Sequence, residues 1–182
     1  MTLIAVFPSE ATVGRRKTRV RRPGRTIFST INGGYGNFTG AGAFAVNATC
    51  ITSFTNDFIS VGGGVGNRAE AQNSSVSGGE ENTASGADSS LSGGYKDLAS
   101  GPLSSVSAGS KNEATKEYSS VSGGSENTAA GEYGSVSGGA HNLAAGKYSS
   151  VVGGEINDAY ATGSAILSGV EQYAGTAYEG IV

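Results

Sequence analysis

The sequence predicts an all-β chain wound as a parallel β-roll, or β-solenoid, with fifteen residues in each turn. Three observations predict it. The segment Ser75-Val76-Ser77-Gly78-Gly79 recurs as Ser120-Val121-Ser122-Gly123-Gly124 and as Ser135-Val136-Ser137-Gly138-Gly139. Stepping by fifteen from Ile31 meets Val46, Val61, Val76, Leu91, Val106, Val121, Val136, Val151, Ile166 and Ile181, all aliphatic. The composition, with 31 glycines in 182 residues, no tryptophan and 15% charged residues, is too poor in large apolar side chains for a conventional core. Such a chain is either disordered or a repeat in which stacking replaces bulk.

Further columns share the frame. Six positions after the aliphatic residue stand Asn37, Asn67, Asn82, Asn112, Asn127, Asn142 and Asn157, with Asp97 and Gln172 as near substitutes. Two positions later come Ala69, Ala84, Ala99, Ala114, Ala129, Ala144, Ala159 and Ala174. A Gly-Gly pair marks most turns, as at Gly33-Gly34 and Gly153-Gly154. The turn around Val46 keeps the spacing but has Cys50, Phe54 and Phe58 in place of the Gly-Gly and Asn, and reads as irregular.

Fifteen residues at ~3.3 Å each make a path of roughly 50 Å, enough for two short strands and two tight bends. Glycine and Asn would supply the positive φ of those bends, and stacked Asn side chains would bond from rung to rung. About ten such turns are expected over residues 28–182. A roll this thin has little interior. The aliphatic column, with Ile31, Val61, Leu91 and Ile166 among its members, is therefore read both as the repeat core and as a seam between copies closed by a homotrimer.

The pattern Ser-Val-Ser-Gly-Gly-x-x-Asn-x-Ala-x-Gly-x-Tyr-Ser, clearest in residues 120–134 and 135–149, resembles the head repeats of trimeric autotransporter adhesins (YadA-like, Hep/Hag type). The resemblance extends over about residues 28–182. It implies a left-handed parallel roll, a trimer and an adhesive role. Similar repeats also occur in phage fibres and virion appendages.

Residues 1–27 do not follow the repeat. They hold Arg15, Arg16, Lys17, Arg19, Arg21, Arg22 and Arg25, seven of the twelve basic residues. With Glu10 this segment carries a formal +6, while the remainder, with five basic and fourteen acidic residues, carries −9. Such a division suggests an arm that docks on an anionic partner. The apolar stretch Leu3 to Phe7 precedes the basic cluster, the reverse of a signal peptide, and reads as one strand that pairs with another protein or covers the first rung.

Other features carry less chemistry. Tyr118, Tyr133, Tyr148 and Tyr178 share a column, interrupted by Gly163, that either packs a corner or offers a surface aromatic ladder to a glycan. Glu81 with Lys96 and Lys111 with Glu126 are spaced to pair between rungs. Glu117 and Glu132 stand one rung apart, the separation of a retaining glycosidase's two carboxyls, which the repeat alone would also produce. His141 is the only histidine, and Cys50 the only cysteine. No catalytic, cofactor-binding or metal site is expected, because the Gly-Gly pairs lack a phosphate loop's lysine and the regular Asp of calcium-binding repeats is missing. Three glycosylation sequons occur, at Asn37, Asn47 and Asn73.

The expectation is a non-enzymatic structural or adhesive protein. The first reading is a trimeric virion appendage of a bacteriophage: a spike, fibre or capsid-decorating protein. Residues 1–27 would hold it to capsid or tail protein, and the roll would contact a host-surface glycan or protein. The alternative is the head of a bacterial adhesin at the cell surface. A polysaccharide-cleaving spike is the third reading.

Overall fold

A computed structural model of the chain describes residues 19–22, 25–39 and 58–182. Every regular element among them is a strand. The first six are β1 (Arg19–Arg22), β2 (Arg25–Ile31), β3 (Phe38–Thr39), β4 (Phe58–Val61), β5 (Arg68–Ala69) and β6 (Ser75–Val76). From β2 onward the strands alternate between two parallel sheets, so each turn contributes one strand to each. A third ladder of single bridges runs from Tyr35 through Val65, Glu80 and Tyr95 to Val170. The fifteen-residue step is literal: Ser75 pairs with Ser90, and Thr83 with Leu98.

The number of turns differs from the sequence expectation. β2 pairs directly with β4, placing Ile31 against Val61, thirty residues on, and Thr39 likewise lies against Ala69. Val46 therefore does not stand between them as the fifteen-residue stepping implies. The irregular turn around it lies outside the described residues, as does Cys50. From Val61 to Ile181 the roll completes about eight turns, and the single step from Ile31 to Val61 replaces the two that the stepping implies.

The interior is thin but closed. Val61, Val76, Leu91, Val106, Val121, Val136, Val151 and Ile166 are at most 1% exposed in the single chain, facing an alanine column from Ala69 to Ala174 that is fully buried. This corrects the reading of the aliphatic column as a seam between copies. Those side chains are spent on the chain's own core, and Ile31 and Ile181 at the ends are only partly buried against it. The two sheets come close enough for this because the facing residue is a methyl group.

The bends also differ from expectation. The glycine three residues after the aliphatic one, from Gly34 to Gly169, has φ between 88° and 132°. At Gly124 an added Cβ would overlap the carbonyl oxygen of Gly139 on the next rung, so no side chain fits. The Asn column supplies no bend. Among the described residues, positive φ falls instead on fourteen non-glycine residues at 54° to 63°, all in two columns, one including Glu81, Lys96, Lys111, Glu126, His141 and Ile156, the other Tyr118, Tyr133, Tyr148 and Tyr178. Each costs about 1–2 kcal/mol locally. It is held there by backbone bonds such as Lys96 N–H to Glu80 O (2.9 Å) and Tyr133 N–H to Glu117 O (3.0 Å).

Two substitutions test this account by chemical denaturation. Gly124→Ala is expected to lower stability by more than about 2 kcal/mol. Ile156→Asn, which relieves a β-branched residue of its left-handed conformation, is expected to raise it by about 1 kcal/mol.

Candidate functional surface

Beneath the surface lies one polar device that recurs on nearly every rung. The Asn127 side-chain amide donates to Gly123 O (3.0 Å) and to Gly139 O on the next rung (2.9 Å). Its Oδ1 accepts from the backbone N–H of Asn142 at 3.0 Å. Asn37, Asn67, Asn82, Asn112, Asn142 and Asn157 repeat the arrangement. Stacking of the Asn column was legible in the sequence; that it spans the glycine bends was not. Asn37 is thereby withdrawn from its sequon, whereas exposed Asn73 bonds Asp88 Oδ1 at 2.8 Å. A column of serines two residues before the aliphatic one went unnoticed in the sequence. Ser74 and Ser119 are buried and bond back to the backbone of Ala71 and Lys116.

Outside, the charged column pairs as its spacing predicts. Lys96 lies 3.2 Å from Glu81, and Lys111 lies 2.8 Å from Glu126. Hydrogen bonding to Tyr95 and then to Glu81 raises Lys96, and Lys111 lowers Glu126. His141 lies 3.3 Å from Glu126, on an exposed bend. These pairs are solvated and contribute little to stability.

Tyr118, Tyr133 and Tyr148 stack in succession, with ring centroids 4.7 and 5.0 Å apart. Desolvation within the stack raises Tyr133. The ring faces are spent on each other, so edges and hydroxyls are what solvent meets. A sugar would find a free ring face only at the ends of the stack, an arrangement that suits corner packing better than glycan stacking. Tyr178, 82% exposed, leans over Gly163. Lys147 holds Glu132 at 2.9 Å, and its ammonium lies 5.1 Å from the Tyr148 ring centre. The carboxylate that spacing matched with Glu117 is thus occupied by a lysine.

One apolar surface feature was missed. The column after the aliphatic core reads Ser77, Ser92, Ser107, Ser122 and Ser137, then Val152, Leu167 and Val182. Val152 and Leu167 are about half exposed, and Ile156 and Val170 lie exposed in neighbouring columns. The signal was present as a break after five consecutive serines in the column.

Of the basic cluster, Arg15, Arg16 and Lys17 lie outside the described residues, as does the Leu3 to Phe7 stretch. Arg19, Arg21 and Arg22 fall in β1 and Arg25 in β2, joined as an antiparallel pair in which Arg22 faces Arg25 in register. β1 occupies the outer position of its sheet. The cluster therefore extends into the strands that begin the roll, and β2 runs across the boundary between residues 27 and 28. Three arginines among four residues also make β1 a poor template for further strand pairing.

Among the described residues no three His, Cys, Asp or Glu side chains converge as a metal site would require, and no helix is long and apolar enough to cross a membrane. No protein-family model matches the chain, and no curated protein matches it.

The Asn ladder predicts a contrast that urea unfolding would measure. Asn127→Leu strands the carbonyls of Gly123 and Gly139 and the N–H of Asn142, and is expected to cost at least about 3 kcal/mol. Lys111→Met, which removes only a solvated pair, is expected to leave the midpoint nearly unchanged.

Proposed function

We propose that the protein is a non-enzymatic structural rod, a virion appendage of a bacteriophage attached by its basic end. The observation that carries this reading is the segregation of charge along the roll. Four arginines lie in the two strands that begin it, while the residues after 27 carry a formal −9. A rod with a cationic foot and an anionic shaft orients end-on against an acidic capsid or tail surface, and the shaft is repelled from lying flat. The shaft suits projection rather than chemistry: its buried Asn column is hydrogen-bonded from rung to rung, and its exterior repeats the same small and charged side chains.

Self-association as a homotrimer belongs to the same proposal. With the aliphatic column committed to the chain's own core, the seam is assigned to Val152, Leu167 and Val182, the exposed stripe on successive final rungs. In parallel rods around a rotation axis, a column meets equivalent columns over its whole length. The likeness of residues 120–149 to trimeric adhesin heads supports the same assembly. It also favours a second reading, the head of an adhesin at the bacterial surface. The acid pair of a polysaccharide-cleaving spike is the least supported, since Glu132 is engaged by Lys147.

Immunogold labelling of the source culture separates the two leading readings. Label on purified virions is expected, whereas label confined to cell envelopes would replace the appendage with the adhesin. Replacing Arg19, Arg21, Arg22 and Arg25 with Gln is expected to abolish virion binding while leaving the β-sheet circular dichroism intact. Retained binding would remove the basic foot from the model. Sedimentation should give a trimer that Leu167→Glu dissociates; an 18 kDa monomer at micromolar concentration would rule the trimer out.

A further inference from the structure

One rung breaks the Asn ladder. Asp97 stands where its neighbours have Asn82 and Asn112, and it is only 1% exposed. Half of its carboxyl group does what an Asn does: Oδ1 accepts from the backbone N–H of Asn112 at 2.7 Å, while its own N–H donates to Asn82 Oδ1 at 2.9 Å. The other half does not. At equivalent rungs the side-chain NH2 donates to the glycine carbonyl four residues back and to the one twelve residues ahead, as Asn82 does to Gly78 O (3.0 Å) and Gly94 O (2.9 Å). By the same offsets the acceptors at this rung are Gly93 O and Gly109 O. Asp97 Oδ2 lies against Gly94 as the Asn82 and Asn112 amide nitrogens lie against Gly79 and Gly109, and it is buried without a hydrogen-bond partner. An ionised carboxylate there would set negative oxygen beside two carbonyl oxygens in a buried site, an arrangement that is strongly unfavourable.

We infer that Asp97 is a neutral carboxylic acid in the folded rod, its Oδ2–H donating to a glycine carbonyl in place of an Asn amide, and that this rung is a pH-sensitive joint. The proton supplies the donor that the ladder requires, and the space is that of an amide nitrogen, too tight for a cation with its own ligands. Burial raises the Asp97 pKa, opposed by hydrogen bonding from both the backbone and the side chain of Asn112, and no ionised group is among the causes acting on it. The charged groups of the surrounding elements are directed outward. Lys96 on the adjoining bend pairs with Glu81, Lys111 on the next rung pairs with Glu126, and Glu113, paired in the same sheet with Leu98, is exposed.

The direction of the effect follows from linkage. The unfolded chain releases this proton near pH 4, while the folded rod retains it, so the stability due to Asp97 is complete below about pH 4. It declines as pH rises from there and levels off above the folded-state pKa. The paired carboxylates behave oppositely: Glu126, lowered by Lys111, favours the fold at higher pH. A comparison with Asp97→Asn isolates the joint from them.

Thermal unfolding of the full chain and of Asp97→Asn between pH 3 and 9 tests the inference. The advantage of the Asn variant is expected to be smallest near pH 3. It should grow with pH by about 3–5 °C for each unit that the folded pKa lies above the unfolded one. A difference that stays constant, or that shrinks as pH rises, would overturn the neutral acid. An infrared difference spectrum at pH 6 should show a protonated-carboxyl stretch in the native protein that Asp97→Asn lacks; its absence overturns the proposal even if the variant fails to fold. Calcium or potassium chloride that raises the native midpoint at pH 8 but not that of Asp97→Asn would replace the proton with a cation.

Discussion

A solenoid fifteen residues around has room for one aliphatic side chain and one alanine per rung, and the buried asparagine amide makes so narrow an interior tenable. Each amide uses both donors and its acceptor, in two directions at once: across the bend of its own rung and up to the next. A buried polar group that is fully bonded stabilises and rigidifies its surroundings, whereas one left incomplete is costly. The ladder thus converts the least hydrophobic part of the cross-section into the part with the most specific geometry. The same amides explain the glycines. With the Asn127 NH2 and the Gly139 carbonyl crowding one side of Gly124, no β-carbon can be accommodated.

Strain and support are divided between the layers. The surface columns hold Tyr, Glu, Lys and even Ile156 at left-handed φ, a conformation that isolated chains avoid. They persist because each lies between backbone bonds to the rungs on either side. Stability in this molecule is therefore a property of neighbours, as in other one-dimensional repeats, and a defect is felt first by the adjoining rungs.

Much of this was legible because a repeat displays each structural requirement many times. The aliphatic, Asn, Ala and Gly columns, the Glu81–Lys96 and Lys111–Glu126 pairs and the tyrosine stack all follow from one period. What escaped is equally instructive. Val46 satisfied the aliphatic column by residue type, yet its turn lacked both the Gly-Gly pair and the Asn. Those losses were the better guide to its absence from between Ile31 and Val61. The aliphatic column was read as a seam because a single valine per rung looked insufficient for a core; sequence alone did not reveal that a fully bonded Asn column is buried beside it. Positive φ was assigned to Asn by propensity, whereas tertiary bonding placed it on Glu81 and Tyr133. Val152, Leu167 and Val182 were visible as a departure from serine, but which face they occupy depends on the pleat.

The direct contact of β2 with β4 reaches beyond counting turns. All three ladders resume across it in register, with Ile31 on Val61, Tyr35 on Val65 and Thr39 on Ala69. Whatever chain separates Thr39 from Phe58, the stack on either side is indifferent to its length, and closing a longer connection costs only logarithmically more. The rod is in this sense a rack: the interval between Thr39 and Phe58 is a slot where evolution, or an engineer, can mount a foreign segment at a fixed height without retuning the scaffold that carries it.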